Sequence, residues 1–234
     1  MAGVLAQVSI RDRSGSGGSC VSQDGFCPDW IKDNIQDFVA PLQRHVELTL
    51  ASVVLGFVIA FALAMVAHRR RFLVGPITGA TGVLYTIPSL ALLALLLPIT
   101  GFGFLPALIA LTGYNLLVIF RNVIAGLDNV PEEAKDAARG MGFTENQVLR
   151  RVELPLAVPE IIAGLRVATT TTVGLAALAF VAGAGGLGQQ IYADPNFKSN
   201  LVVAGGLCIA LAIVLDLLLV LGERAALPWK RVAA

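Results

Sequence analysis

Long continuous apolar runs alternate with short polar segments along this chain. Runs such as "LALLALLLP" are unbroken, whereas strands of a membrane barrel would alternate in and out. Five blocks meet the requirement of roughly 20 apolar residues per helical crossing. They cover residues 45–67, 76–97, 104–120, 157–181 and 201–221. The pattern predicts an all-α membrane protein with about five transmembrane helices.

Two polar segments interrupt this pattern and carry their own helical signals. In "PDWIKDNIQDFVAPLQRH", Ile31, Ile35, Phe38 and Leu42 recur at helical spacing, with Asp29 as N-cap. This predicts a short amphipathic helix on the outer membrane surface, with Trp30 at the interface and Pro41 kinking or ending it. A structureless tail is the alternative. The preceding "RDRSGSGGS" reads as a flexible linker, and the chain's first ten residues lack the basic start and apolar core of a signal peptide.

The second polar segment, residues 129–155, lies between the third and fourth blocks. Pro131, Glu132 and Glu133 suit the first turn of a helix, where proline and acidic groups are favoured. Ala134, Ala137 and Ala138 form a small-residue face. Gly140 and Gly142 break the helix. Thr144 and Gln147 fit a capping box that restarts it, Val148, Leu149 and Val152 are its apolar positions, and Pro155 limits it. The expected product is helix, glycine turn, helix, then a span. An alanine face without a core of its own suits docking against a partner; covering the span ends is the simpler alternative.

Composition sharpens the membrane reading. Of 234 residues, 56% are hydrophobic and 14% charged, against about 25% charged in soluble domains. The net charge of +1 gives no sign of a nucleic-acid partner. Positive residues follow the first block (His68, Arg69, Arg70, Arg71), the third (Arg121, then Lys135, Arg139, Arg150 and Arg151) and the fifth (Arg224, Lys230, Arg231). By the positive-inside rule the N-terminus is outside and the C-terminus cytoplasmic, as is the polar segment. The chain divides into an extracytoplasmic tail (1–44), a transmembrane domain (45–224) and a cytoplasmic tail (225–234). Cys20 and Cys27 lie outside, where an oxidising environment permits a disulfide; two free thiols fit equally well.

Candidate chemistry inside the spans is sparse. Two histidines and three cysteines, far apart, give no metal-ligand spacing. Tyr85 and Ser89 in the second block, Tyr114 and Asn115 in the third, and Thr169 and Thr172 in the fourth could line a route, with helix packing as the alternative; Gly79, Gly82 and Gly113 favour close packing nearby. Tyrosine faces attract quaternary ammonium groups. Asp216 is costly in a span without a partner, and Arg166 lies at a compatible depth in the fourth block. The two are expected to pair; snorkelling of Asp216 to the cytoplasmic interface is the alternative.

One motif within residues 129–155 resembles a known family. ABC importer permeases share a cytoplasmic EAA motif: Glu-Ala-Ala, three residues, Gly, nine residues, then Ile-x-Leu-Pro. Here Asp136, Ala137 and Ala138 are followed at the same spacing by Gly142 and by Val152, Glu153, Leu154 and Pro155. Asp replaces Glu and Val replaces Ile. "YTIPSLALLALLLPITGFGFLPALIAL", "RNVIAGLDNV", "VELPLAVPEIIAGLR" and "GAGGLG" are similar to the branch importing glycine betaine, choline and carnitine.

The resemblance implies a type I ABC importer permease fold with a cytoplasmic coupling helix in the bacterial inner membrane. Glu133, Asp136, Ala137, Ala138, Gly140, Gly142, Leu154 and Pro155 would then serve ATPase coupling. It implies cytoplasmic ATPase partners holding ATP and Mg, a second permease copy or a similar permease, an external substrate-binding protein and a small solute. No cofactor is expected on this chain. The cluster from Gly183 to Gly188 lacks the lysine of a phosphate loop and reads as a tight turn. Import of another solute such as an amino acid, or a stand-alone carrier or channel, are the alternatives.

Overall fold

The structure, a computed structural model, describes Cys20 and residues 24–226. The expected linker at 11–19 and residues 227–234 of the expected tail lie outside the described residues. The elements are helices α1 (Pro28–Asn34), α2 (Val39–Arg69), α3 (Val74–Thr86), α4 (Ser89–Thr100), α5 (Phe104–Asp128), α6 (Glu132–Gly140), α7 (Glu145–Val148), α8 (Leu154–Ala176), α9 (Leu187–Ala193) and α10 (Lys198–Ala226).

Among the described residues, three helical stretches are long and apolar enough to cross a membrane: Pro28–Arg69, Phe104–Asp128 and Lys198–Ala225. A bent pair, Arg71–Thr86 and Ser89–Thr100, makes a fourth if counted as one span. The second block is therefore not one straight helix. It turns by 94° at Ile87, whose ψ is 127°. Proline disfavours helical backbone in the residue before it and supplies no N–H, so Pro88 forces the break. The fourth block becomes α8, with 23 residues, or about 35 Å at 1.5 Å per residue. Glu160, Arg166 and four threonines dilute its apolarity. It lies against α2, α5 and α10.

α5 is the centre of the molecule: 61% of its most apolar stretch is buried, against 11% for α10. One core, near the α4–α5 turn, gathers Leu48, Leu93, Ala107, Leu111 and Ala179. A second, toward the polar segment at 129–155, gathers Ala60, Ala64, Ile119, Phe120, Val123 and Ala157. Glycines let these helices approach closely. A Cβ on Gly56 would lie 2.6 Å from Cβ of Asn115, and one on Gly164 only 2.4 Å from Cβ of Asn122. Gly113 meets Leu84, but Gly79 and Gly82 have open space where a Cβ would stand, so close packing rests on other glycines than those two.

The N-terminal segment differs from the expectation in three respects. Cys27, not Asp29, is the N-cap of α1. Pro41 neither kinks nor ends a helix; it sits in the first turn of α2, where its missing N–H has no intrahelical partner to lose. Trp30 is half-buried against Phe197, ring centroids 4.7 Å apart, and belongs with Phe38, Leu187 and Ala204 in a small apolar cluster. The Cys27 N–H donates to Ser199 Oγ at 2.7 Å, and Cys20 and Cys27 are joined by a disulfide. The segment is docked onto the start of α10.

Candidate functional site: the polar hairpin and the helix core

The polar segment folds as a hairpin of two short helices. α6 opens after Pro131 and carries Glu132 and Glu133 in its first turn. Gly140 is its last residue, and the break falls at Gly142, with φ +83°. The Phe143 N–H donates to the Ala138 carbonyl (3.1 Å) and the Gly142 N–H to that of Arg139 (2.9 Å). This is the Schellman pattern, which needs a left-handed residue at the glycine position. The Thr144 N–H then donates to Gln147 Oε1 at 2.8 Å, so the capping box forms.

Pro155 does not stop the second helix. Residues Leu149–Glu153 widen into a π turn in which the Leu154 N–H reaches the Leu149 carbonyl, and α8 follows without interruption. A proline ring collides with the carbonyl four residues earlier in a regular helix. The wide turn removes that conflict.

Arg139 is the hub of the hairpin. Its guanidinium reaches Glu145 Oε1 (3.1 Å), Glu132 Oε1 (3.1 Å) and Asp136 Oδ1 (2.9 Å). Glu145, followed by Glu132 and Asp136, pushes the Arg139 pKa up. The Lys135 ammonium, 2.7 Å from Glu132, and then Arg139 hold the Glu132 carboxyl below its ordinary range. Single exposed pairs contribute little; here one cation fastens α6 to α7. The alanine face divides. Ala138 is turned inward, whereas Glu133, Asp136, Ala137 and Met141 are exposed. Leu154 packs into the second core, and Pro155 is half-buried beside it.

The end of α2 grips this segment at two points, and Arg71 just beyond it holds the end of α5; the sequence pattern indicated none of these contacts. His68 Nε2 lies 2.7 Å from Glu153 Oε2, with side chains 14% and 7% exposed. Arg69 donates to Asn146 Oδ1 at 2.7 Å. Arg71 pairs with Asp128. A charge count marks these residues as basic; only the fold shows which partners they meet.

The intramembrane candidates fall into two sets. Asn115 and Thr172 are buried and bonded to each other: Thr172 Oγ1 donates to Asn115 Oδ1 at 2.9 Å. Asn115 Nδ2 donates to the Ser52 carbonyl at 3.3 Å, so the network joins α2, α5 and α8. Thr169 is buried and donates back to the Leu165 carbonyl. Tyr114 donates to the Ile87 carbonyl at 2.5 Å and thereby satisfies a backbone group freed by the helix break. Tyr85 lies edge-on to Tyr114, centroids 5.8 Å apart, with its ring exposed, and Ser89 is half-buried at the start of α4. Of the six, Tyr85 is the most open.

Arg166 and Asp216 meet in a two-pronged pair. Nε lies 2.7 Å from Oδ1 and Nη2 2.9 Å from Oδ2. This joins α8 to α10, which otherwise shares few buried side chains with the bundle. Asp216→Ala and Arg166→Ala are each expected to reduce the amount of folded protein in the membrane. The double change is expected to lose less than the sum, because the second removal breaks nothing new. Folded yield by fluorescence-detected size exclusion checks this; strictly additive losses would deny the coupling.

The turn after α8 is tightly held. The Gly103 N–H donates to the Ala182 carbonyl at 2.7 Å, and Arg44 Nε to the Ala184 carbonyl at 3.2 Å. His45 Nε2 lies 3.0 Å from the Val173 carbonyl, while its Nδ1 accepts from the Leu187 N–H at 3.4 Å. The glycine cluster is a structural turn.

Comparisons with known proteins agree with this architecture. Residues 52–226 match the family described as binding-protein-dependent transport system inner membrane component. The choline transport system permease protein OpuBB of Bacillus subtilis is 35% identical over 201 residues, covering 85% of this chain and 93% of that protein. The osmoprotectant import permease protein OsmW of Salmonella typhimurium is 39% identical over 197 residues, covering 81% and 92%. Among solved structures, a chain of the MetNI methionine ABC transporter in an inward-facing conformation aligns with a TM-score of 0.68 at 26% identity, over 81% of this chain and 94% of that one. The chain is a multi-pass permease subunit and belongs to the family of inner membrane components of binding-protein-dependent transport systems.

Proposed function

We propose that this chain is the transmembrane permease subunit of an ABC importer that takes up quaternary ammonium osmoprotectants of the glycine betaine, choline and carnitine type. One observation carries the coupling part of this reading. The EAA-spaced segment is a preformed hairpin, braced by Arg139 and offering Ala137 and Met141 outward. A separate cytoplasmic ATPase, holding ATP and Mg, would seat this hairpin in a groove. ATP-driven closure of two such ATPases would move two hairpins, one from each of two permeases, and so bias the bundle between two states. An external binding protein would deliver the solute.

The solute class is supported by the names of relatives at 35–39% identity and by the open Tyr85 ring, which suits a quaternary ammonium. Import of an amino acid is the second reading, and rests on the likeness to the methionine transporter chain. Equilibrium binding of labelled glycine betaine, choline, carnitine and methionine to the cognate external protein separates the two. Saturable binding of a quaternary ammonium compound, with methionine unable to compete, is the expected result. The opposite preference would move the chain to the amino-acid reading.

In this reading the N-terminus lies outside and the C-terminus in the cytoplasm. Arg69, Arg71, Arg139, Arg150 and Arg151 gather at the end of the bundle that carries the coupling hairpin, while the Cys20–Cys27 disulfide lies with Lys198 at the other. Positive residues favour the cytoplasmic side and disulfides the oxidising one. A cysteine introduced at Lys198 is expected to react with a membrane-impermeant maleimide in intact cells, and one at Arg150 only after permeabilisation. The reverse pattern would invert the topology.

A further inference from the structure

Two contacts tie the end of α2 to the coupling segment and a third, Arg71–Asp128, ties the turn after α2 to the end of α5; of these, only His68–Glu153 is largely withdrawn from solvent. Arg71 and Asp128 are about half exposed, at 55% and 43%, and the Arg69–Asn146 bond is exposed. Such contacts are individually weak. Glu153 is buried and His68 largely so, with Nε2 2.7 Å from Oε2. A buried carboxylate that loses its partner is strongly unfavourable, so a buried pair resists separation far more than an exposed one.

The position of Glu153 gives this resistance a direction. It closes the π turn, immediately before Leu154 enters the second core. Toward the hairpin, α7 is connected to Glu153 by that single wide turn, so a displacement of the hairpin arrives at Glu153 first. His68 is one residue from the end of α2, a helix of 31 residues. That helix packs along α5 through Gly56 and carries Ser52, which accepts from Asn115 in the buried network with Thr172. A displaced hairpin must carry His68 with it or leave a buried carboxylate alone.

We propose that the His68–Glu153 pair is the joint through which movement of the coupling hairpin is passed into α2 and on to the Ser52–Asn115–Thr172 network. The two are positioning residues for transport and make no contact with solute. This inference rests on the importer reading above.

The test uses the complete complex of permease, ATPase and binding protein in liposomes, and reads solute taken up per ATP hydrolysed. The double variant His68→Leu/Glu153→Met replaces both partners with apolar groups of similar volume, an exchange that buried pairs tolerate in stability. It is expected to insert and bind the ATPase, with uptake per ATP lowered about tenfold or more, in the range of ordinary coupling energies. An unchanged ratio overturns the joint.

A second measurement does not depend on that variant folding. Cysteines at the exposed positions Arg69 and Asn146, bridged by a short reducible cross-linker, fasten the end of α2 to the hairpin. A joint that moves as one body predicts equal uptake per ATP in the bridged and reduced states of the same sample. Loss of uptake on bridging, regained on reduction, shows that the two parts must separate and overturns the proposal. A native complex that hydrolyses ATP without any uptake removes the importer reading itself, a result distinct from either of these.

Discussion

Replacing Gly188 by alanine is expected to leave little folded permease in the membrane. Gly188 lies in α9, where it faces the end of α8. A Cβ there would stand 1.7 Å from the Ala177 carbonyl oxygen and 2.5 Å from its carbon. Both are backbone atoms, so no side-chain rotation relieves the contact. The surroundings cannot easily retreat either. The Ala177 N–H is bonded to the Gly174 carbonyl, and His45 holds both the Leu187 N–H and the Val173 carbonyl. Over-packing a core with one extra methylene commonly costs ~1–3 kcal/mol where side chains can adjust. Here two backbone segments must part, so the cost exceeds that range and becomes comparable with the ~5–15 kcal/mol that stabilises a typical domain. Detergent-solubilised Gly188→Ala should show a collapsed monodisperse peak and a lowered unfolding temperature. A variant as abundant and heat-stable as the native chain would contradict the packing described at this turn.

The second large effect falls on transport and leaves the fold in place. Gly142→Val is expected to insert normally yet to abolish solute uptake. No atom lies within 4 Å of a Cβ at Gly142, so steric collision is not the cause. The cause is the backbone: φ is +83°, a region that costs L-residues ~1–2 kcal/mol and that β-branched residues scarcely enter. Valine would unwind the Schellman turn, separate Arg139 from Glu145 and disperse the hairpin surface proposed to meet the ATPase. Gly142→Asn is the control, because asparagine tolerates the left-handed region; it is expected to retain most uptake. Normal ATP-driven uptake by the valine variant, measured with radiolabelled solute in whole cells, would remove the hairpin from the coupling path.

Much of this molecule could be read from the chain because membrane insertion and helix capping are local rules. Apolar runs locate α2, α5 and α10, since lipid demands them. Pro131, Gly142, Thr144 and Gln147 mark the hairpin, since each answers a nearby backbone group. The Arg166–Asp216 contact was reachable by depth, because two charges among apolar residues have few places to go. What escaped was non-local or compensated. Pro155 carries a helix-breaking signal, but a π turn absorbs it. Ile87 and Pro88 sit within an apolar run long enough for a straight span, and only the 94° bend divides it. Trp30 resembles an interfacial anchor, yet its place depends on Phe197, far along the chain. His68 and Glu153 lie on different helices, and no periodicity connects them. Asn115 and Thr172 are polar in spans, but whether they face a route or each other depends on helix rotation, which composition does not encode.

The central claim is that this chain moves a quaternary ammonium solute at the expense of ATP hydrolysed on another subunit. The most direct measurement is uptake of radiolabelled glycine betaine, choline or carnitine into liposomes containing the permease with its ATPase, supplied with the external binding protein. The account predicts accumulation of at least one of these solutes against its gradient. That accumulation should require ATP inside, cease when the ATPase is omitted, and be lost with Gly142→Val. Uptake that proceeds equally without the ATPase or ATP, stopping at equilibrium, would identify a stand-alone carrier or channel and contradict the account.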